Sequence, residues 1–123
     1  MPSLAHFLGN SLIKADGTTV DTEDLMKEDQ IVGLFFSASW CPPCQSFTCK
    51  LLEFYTKFKE SSPEKKLEVV LIGSDRDESG FMEYFRQMPW LALPFADRDK
   101  KVILQCFLVA QVRIAHFFYF AKF

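Results

Sequence analysis

The chain has 123 residues, a length that fits one domain over residues 1–123, and about half of them are hydrophobic, enough to build a core. A formal net charge of −2, with both signs interspersed, gives no case for nucleic-acid binding, which normally shows a basic excess. No apolar run approaches the roughly 18 residues that cross a bilayer, so no membrane partner is expected.

In chain order, Leu12–Ala15 and Thr18–Val20 flank Asp16-Gly17, a short-hairpin signal. Asp21 or Thr22 then caps a short helix through Leu25 and Met26. Ile31–Phe36 is a continuous apolar run of the kind found in buried central strands. Phe47, Leu51, Phe54 and Phe58 recur at helical spacing, and Ser61-Ser62-Pro63 predicts where that helix stops. Leu67–Ile72 reads as a second buried strand. Asp75-Arg76-Asp77-Glu78 follows as an Asp-x-x-Glu helix start, with Asp75 as the cap, and Phe81, Tyr84, Phe85 and Met88 keep helical period to Pro89. Strand–helix–strand–helix order implies parallel strands joined by right-handed crossovers. Met88–Phe95 holds two prolines and predicts an ordered loop or a very short extended piece. Asp97 caps a further helix through Cys106, and Val112–Phe120 reads as a final strand. Fourteen phenylalanines predict an interior packed largely by that ring.

The chemistry gathers at Trp40-Cys41-Pro42-Pro43-Cys44, directly after the first buried strand and before the first long helix. Thiol exchange needs a thiolate attacker and a second thiol that resolves the mixed disulfide. Cys41 falls at a helix N-terminus, where unpaired backbone N–H groups and the helix dipole favour an anion and lower a thiol pKa. Proline costs little there, because the first helical N–H groups have no partner in any case, and two of them stiffen the turn. Cys41 is therefore the exposed attacker and Cys44 the shielded resolving thiol. A structural staple is disfavoured because the closed loop is tiny. Zinc would need a second Cys pair or histidines at suitable spacing, whereas Cys49, Cys106, His6 and His116 supply none.

At this motif the chain resembles the tryparedoxin/nucleoredoxin branch of the thioredoxin superfamily. The likeness runs from Phe35 through Cys44 into Phe47-Thr48 and Leu52–Tyr55, then Glu68–Val70 and Met88–Phe95, over roughly residues 10–110. It implies a thioredoxin fold in the α/β class: a mixed sheet with helices on both faces, here C-terminally shortened. It implies reduction of protein disulfides through a mixed disulfide at Cys41, resolved by Cys44, with no bound cofactor and no metal. Electrons would come from an external reductase or a small thiol. Trp40, Pro42 and Pro43 become candidate substrate contacts, and Trp90 either joins that apolar rim or is a core aromatic.

The chain also departs from that family. No proline follows Pro94, so the cis-proline loop expected opposite the dithiol is missing, and Arg113 falls near its place. Arg113 either stabilises the Cys41 thiolate or is an exposed strand residue. Phe35 stands where ordinary thioredoxins carry a buried aspartate, which leaves water, or at a stretch Asp75, to deprotonate Cys44. Cys49 replaces a helix-kinking proline; the plain expectation for Cys49 and Cys106 is a small buried hydrophobe. The sharper one for Cys106 is an intermolecular disulfide giving a homodimer. The aromatic C-terminus either leaves an apolar patch for self-association or a partner, or folds back to fill the gap. The first residues lack a basic region and an apolar core before a cleavage site, so a reducing cytoplasmic setting, with the nucleus as a further possibility, is expected. The alternative to a general reductase is a regulatory module that sets the thiol state of a signalling or transcription-factor partner.

Overall fold

The computed structural model describes residues 9–25, 30–63, 66–73, 75–95 and 118–122. The expected helix over 97–106, together with Cys106, Arg113, His6 and His116, lies outside the described residues.

The hairpin forms as expected, with β1 at Ser11–Ile13 and β2 at Thr19–Asp21 paired antiparallel. Its turn closes through Gly17 N–H to the Lys14 carbonyl and Lys14 N–H to the Thr18 carbonyl, both 2.9 Å. Gly17 has φ +91°, a left-handed conformation that glycine adopts without steric cost. A 3-10 turn at Thr22–Leu25 follows, its entry fixed by Asp21 Oδ1 accepting the Glu23 N–H.

The two apolar runs become β3 (Gln30–Ser37) and β4 (Lys66–Gly73), parallel and in register over their whole length from Gln30↔Lys66 to Ser37↔Gly73. Between them runs α1 (Pro42–Ser61), which ends where Ser62 N–H bonds the Phe58 carbonyl just before Pro63. After β4 come α2 (Glu78–Phe85) and the two-residue β5 (Leu91–Ala92), parallel to β4 and antiparallel to β1. Finally β6 (Phe118–Lys122) pairs antiparallel with β3. The sheet order is β2-β1-β5-β4-β3-β6. This mixed sheet with its crossover helices is the expected thioredoxin fold. The C-terminal aromatic segment thus pairs with β3 and ends the sheet order among the described residues.

Stepping from β3 to β4 to β5 in one direction with right-handed crossovers places both helices on one face. There Phe35, Val69 and Leu71 pack with Leu51 of α1 and Phe81, Tyr84 and Phe85 of α2, closed by Met88, Trp90 and Ala92. The opposite face is not bare: Val32, Leu34, Phe36, Val70 and Ile72 are all buried as well. Of the two alternatives for the C-terminus, the uncovered patch is not found at these described residues. Gly73 sits where α2 approaches β4 closely; a Cβ there would meet the Phe81 ring at 2.7 Å.

Two local expectations need correction. The inner stripe of α1 is the buried Cys44 and Leu51 with the partly buried Phe47 and Tyr55, while Phe54 is 46% exposed. Residue 55, four on from Leu51, stays on the inner stripe, and residue 54 turns off it. The cap of α2 is Asp77, whose Oδ1 accepts the Gly80 N–H at 2.6 Å. Asp75 does not cap: it is buried and turned toward the Cys41 motif. Among the described residues no helix is long and apolar enough to cross a membrane.

Candidate active site

The site lies at the C-terminal end of β3, where the chain turns from sheet into α1. Ala38–Cys41 make that turn, with the Cys41 N–H reaching the Ala38 carbonyl at 3.3 Å. Cys41 is the N-cap of α1 in extended conformation, and Pro42 and Pro43 occupy the first helical positions. No acidic residue lies in that first turn, so nothing there opposes an anion at the helix end. Cys41 and Cys44 are joined in a disulfide with Cα atoms 5.2 Å apart. Cys41 is half-buried and Cys44 is 5% exposed, so an incoming thiol reaches the first sulfur and not the second. Trp40 is 60% exposed beside them.

Two hydrogen-bonded braces hold the turn. In the first, Asp75 Oδ1 accepts the Ser39 N–H at 3.1 Å and also the Ser39 hydroxyl, while Gln45 Nε2 donates to the Ser39 carbonyl. Parallel register explains the meeting: Ser37 pairs with Gly73, so the residues two further on, Ser39 and Asp75, emerge side by side. The second brace is partly buried. Thr48 Oγ1 donates to the Cys44 carbonyl at 2.8 Å, and Tyr84 Oη lies 2.7 Å from both Thr48 Oγ1 and Ser37 Oγ. It ties β3, α1 and α2 together directly behind Cys44.

The candidate residues separate accordingly. Trp40, Cys41, Pro42, Pro43 and Cys44 come together at the strand-to-helix turn. Trp90 does not join them as an exposed rim. It is 1% exposed, packed edge-on against Tyr55 and Phe35 with ring centroids 5.5 and 6.1 Å away. A large ring on the loop before β5 is worth more inside this core than on the surface. Cys49 is corrected too: it is an exposed free thiol rather than a buried hydrophobe, since it projects off the inner stripe of α1. Of the bracing residues, Ser37, Ser39, Thr48 and Tyr84 were not legible as site residues, and Asp75 was named only as a distant candidate to deprotonate Cys44, not as a brace of the turn. Their faint signals were a serine ending an apolar strand, a hydroxyl four residues after Cys44, and an aspartate just past β4. Among the described residues no group of three or more His, Cys, Asp or Glu could hold a metal ion.

The thioredoxin-like family model matches residues 29–113. Nucleoredoxin from Danio rerio is 42% identical over 102 residues, covering 82% of this chain and 24% of that protein. Tryparedoxin from Trypanosoma brucei brucei is 57% identical over 68 residues, covering 55% of this chain and 45% of that protein. The chain therefore spans about a quarter of that nucleoredoxin and under half of that tryparedoxin. The crystal structure of native tryparedoxin I from Crithidia fasciculata superposes with a TM-score of 0.74 at 40% identity, covering 89% of this chain and 74% of that one.

Proposed function

The chain belongs to the thioredoxin-like family, in its tryparedoxin/nucleoredoxin branch, and from that premise we propose that it reduces protein disulfides through Cys41 and Cys44. The observation that carries this is the asymmetry of the pair: an accessible sulfur capping a helix, bonded to one buried behind it. In the reduced protein the Cys41 thiolate attacks one sulfur of the substrate disulfide. The Cys41–substrate bond forms, the substrate disulfide breaks, and one substrate thiolate leaves. Cys44, deprotonated, then attacks Cys41. The Cys41–Cys44 bond forms and the second substrate thiolate leaves. The protein is oxidised by two electrons, and an external reductase or small thiol restores both thiols. Trp40, Pro42 and Pro43 frame the point of attack. A reducing compartment, cytoplasmic or nuclear, suits a dithiol that must be regenerated.

The test is turbidimetric reduction of insulin with dithiothreitol or thioredoxin reductase as donor. Wild type is expected to accelerate precipitation, and Cys41→Ser to fall to the uncatalysed rate. Equal rates for the two would exclude the reading.

The exposed indole of Trp40 also favours a second reading, in which the same dithiol sets the thiol state of one docked signalling or transcription-factor partner. Cys44→Ser would then capture that partner selectively and turn over generic disulfides weakly. Capture of abundant, unrelated proteins alone counts against it.

A further inference from the structure

We propose that Gln45 is a positioning residue that sets how strongly Cys41 and Cys44 hold their disulfide. This rests on the reductase reading and deepens it, because the same equilibrium sets the reducing power of the dithiol. Gln45 grips the chain on both sides of Trp40. Its backbone N–H donates to the Cys41 carbonyl at 3.1 Å, and its side-chain Nε2 donates to the Ser39 carbonyl. From the other side, Asp75 Oδ1 accepts the Ser39 N–H at 3.1 Å and the Ser39 hydroxyl. The N–H, the hydroxyl proton and the carbonyl of Ser39 are thus all engaged, two by the segment after β4 and one by α1. Gln45 directly follows Cys44 in α1, so one residue ties the segment that carries the attacking sulfur to the helix turn that carries the resolving one.

A disulfide closes only when its two Cα atoms stand about 4.4–6.8 Å apart. Here they stand 5.2 Å apart. The disulfide and the Gln45 clamp restrain the same segment, Ser39–Cys41, against the same helix turn. Whichever forms first removes part of the ordering that opposes the other. The clamp therefore stabilises the oxidised protein more than the dithiol, and a dithiol that is more readily oxidised is a stronger reductant of its substrate. Gln45 is exposed, so the net effect of its side-chain bond is modest. It holds against water because both ends are already placed: the Gln45 backbone by α1 and Ser39 by Asp75, which leaves only the Gln45 side chain to order.

The experiment equilibrates the full chain with glutathione buffers of graded thiol-to-disulfide ratio. The Cys41–Cys44 bond forms as the bond of glutathione disulfide breaks, releasing two glutathione thiols. Samples are quenched in acid and alkylated, and the oxidised fraction of the Cys41–Cys44 peptide is read by mass. Gln45→Met and Gln45→Ala put good helix formers without a side-chain N–H at this position. Each should lower the oxidation equilibrium constant about fivefold, a rise of about 20 mV in potential for two electrons. In urea unfolding, each variant should lose more stability as the disulfide than as the dithiol. An unchanged or raised constant, with equal stability losses in the two redox states, overturns the proposal and makes Gln45 only a fastener of the turn. A constant that falls for Gln45→Met and not for Gln45→Ala overturns it as well, because the introduced side chain is then the cause. Insulin reduction by wild type is followed in parallel: its absence overturns the reductase reading, while the glutathione equilibrium still decides the role of Gln45.

Discussion

The hydroxyls of Ser37 and Tyr84 meet at 2.7 Å, buried, across 47 positions of sequence. The order of protons along their network follows from what each group can do. The Cys44 carbonyl only accepts, so Thr48 gives it its one proton; Tyr84 must then donate to Thr48, and Ser37 to Tyr84. The chain of hydroxyls fixes the helix turn that carries Cys44 against the end of β3.

Removing the middle member leaves the buried Ser37 hydroxyl and the partly buried Thr48 hydroxyl each short of a partner. Tyr84→Phe should therefore cost about 1–3 kcal/mol in urea unfolding. Insulin reduction should weaken as the first turn of α1 loosens. An unchanged unfolding midpoint would show that the network contributes nothing net.

A second prediction concerns the nucleophile. In reduced protein with Cys49→Ser, the rate of Cys41 carboxymethylation should rise with a midpoint at or below about pH 7.5, against about 8.5 for a free thiol. The cause is the positive end of the α1 dipole, which no acidic residue in the first turn opposes; Pro42 and Pro43 themselves supply no N–H there. A midpoint at the free-thiol value would mean that the helix end does not activate this sulfur.

A third concerns packing. Gly73→Ala would drive a Cβ to within 2.7 Å of the Phe81 ring, which is buried and stacked on Phe85 at 5.9 Å. With nowhere for the ring to swing, the substitution should destabilise by about 1–3 kcal/mol, measured by thermal or urea unfolding. A neutral effect would mean that α2 moves away from β4 freely.

A fourth concerns pH. Burial raises the pKa of Glu68 above the ordinary carboxyl range, although its Oε1 accepts from Val69 N–H at 3.1 Å and Tyr55 Oη at 3.3 Å and Lys59 pulls the other way. Between the unfolded and folded pKa values the folded chain binds the extra proton, so the contribution of Glu68 to stability is greatest below the unfolded value and is lost as pH rises through the folded value. Glu68→Gln keeps both acceptor contacts without the charge. Its Tm relative to wild type should climb from about pH 4 to pH 7; a constant difference would show that Glu68 titrates alike in both states.

The strands, the two helices and the redox pair were legible because each is a local pattern. Ile31–Phe36 and Leu67–Ile72 are apolar runs of strand length, Asp16-Gly17 fixes its own turn, and prolines after Cys41 can open a helix but not continue one. Even the unequal exposure of Cys41 and Cys44 follows from where a helix begins. Long-range relations were not legible in this way. Trp90 went to the core rather than to the rim because Phe35 and Tyr55, far apart in sequence, supply its edge contacts. Asp75 faces Ser39, and not its own helix, because the β3–β4 register brings the two strand ends level. Residue spacing encodes what a segment does along its own axis. Which polar groups are buried together is decided when separate segments exclude water from the same volume, and only the packed sheet and helices set that.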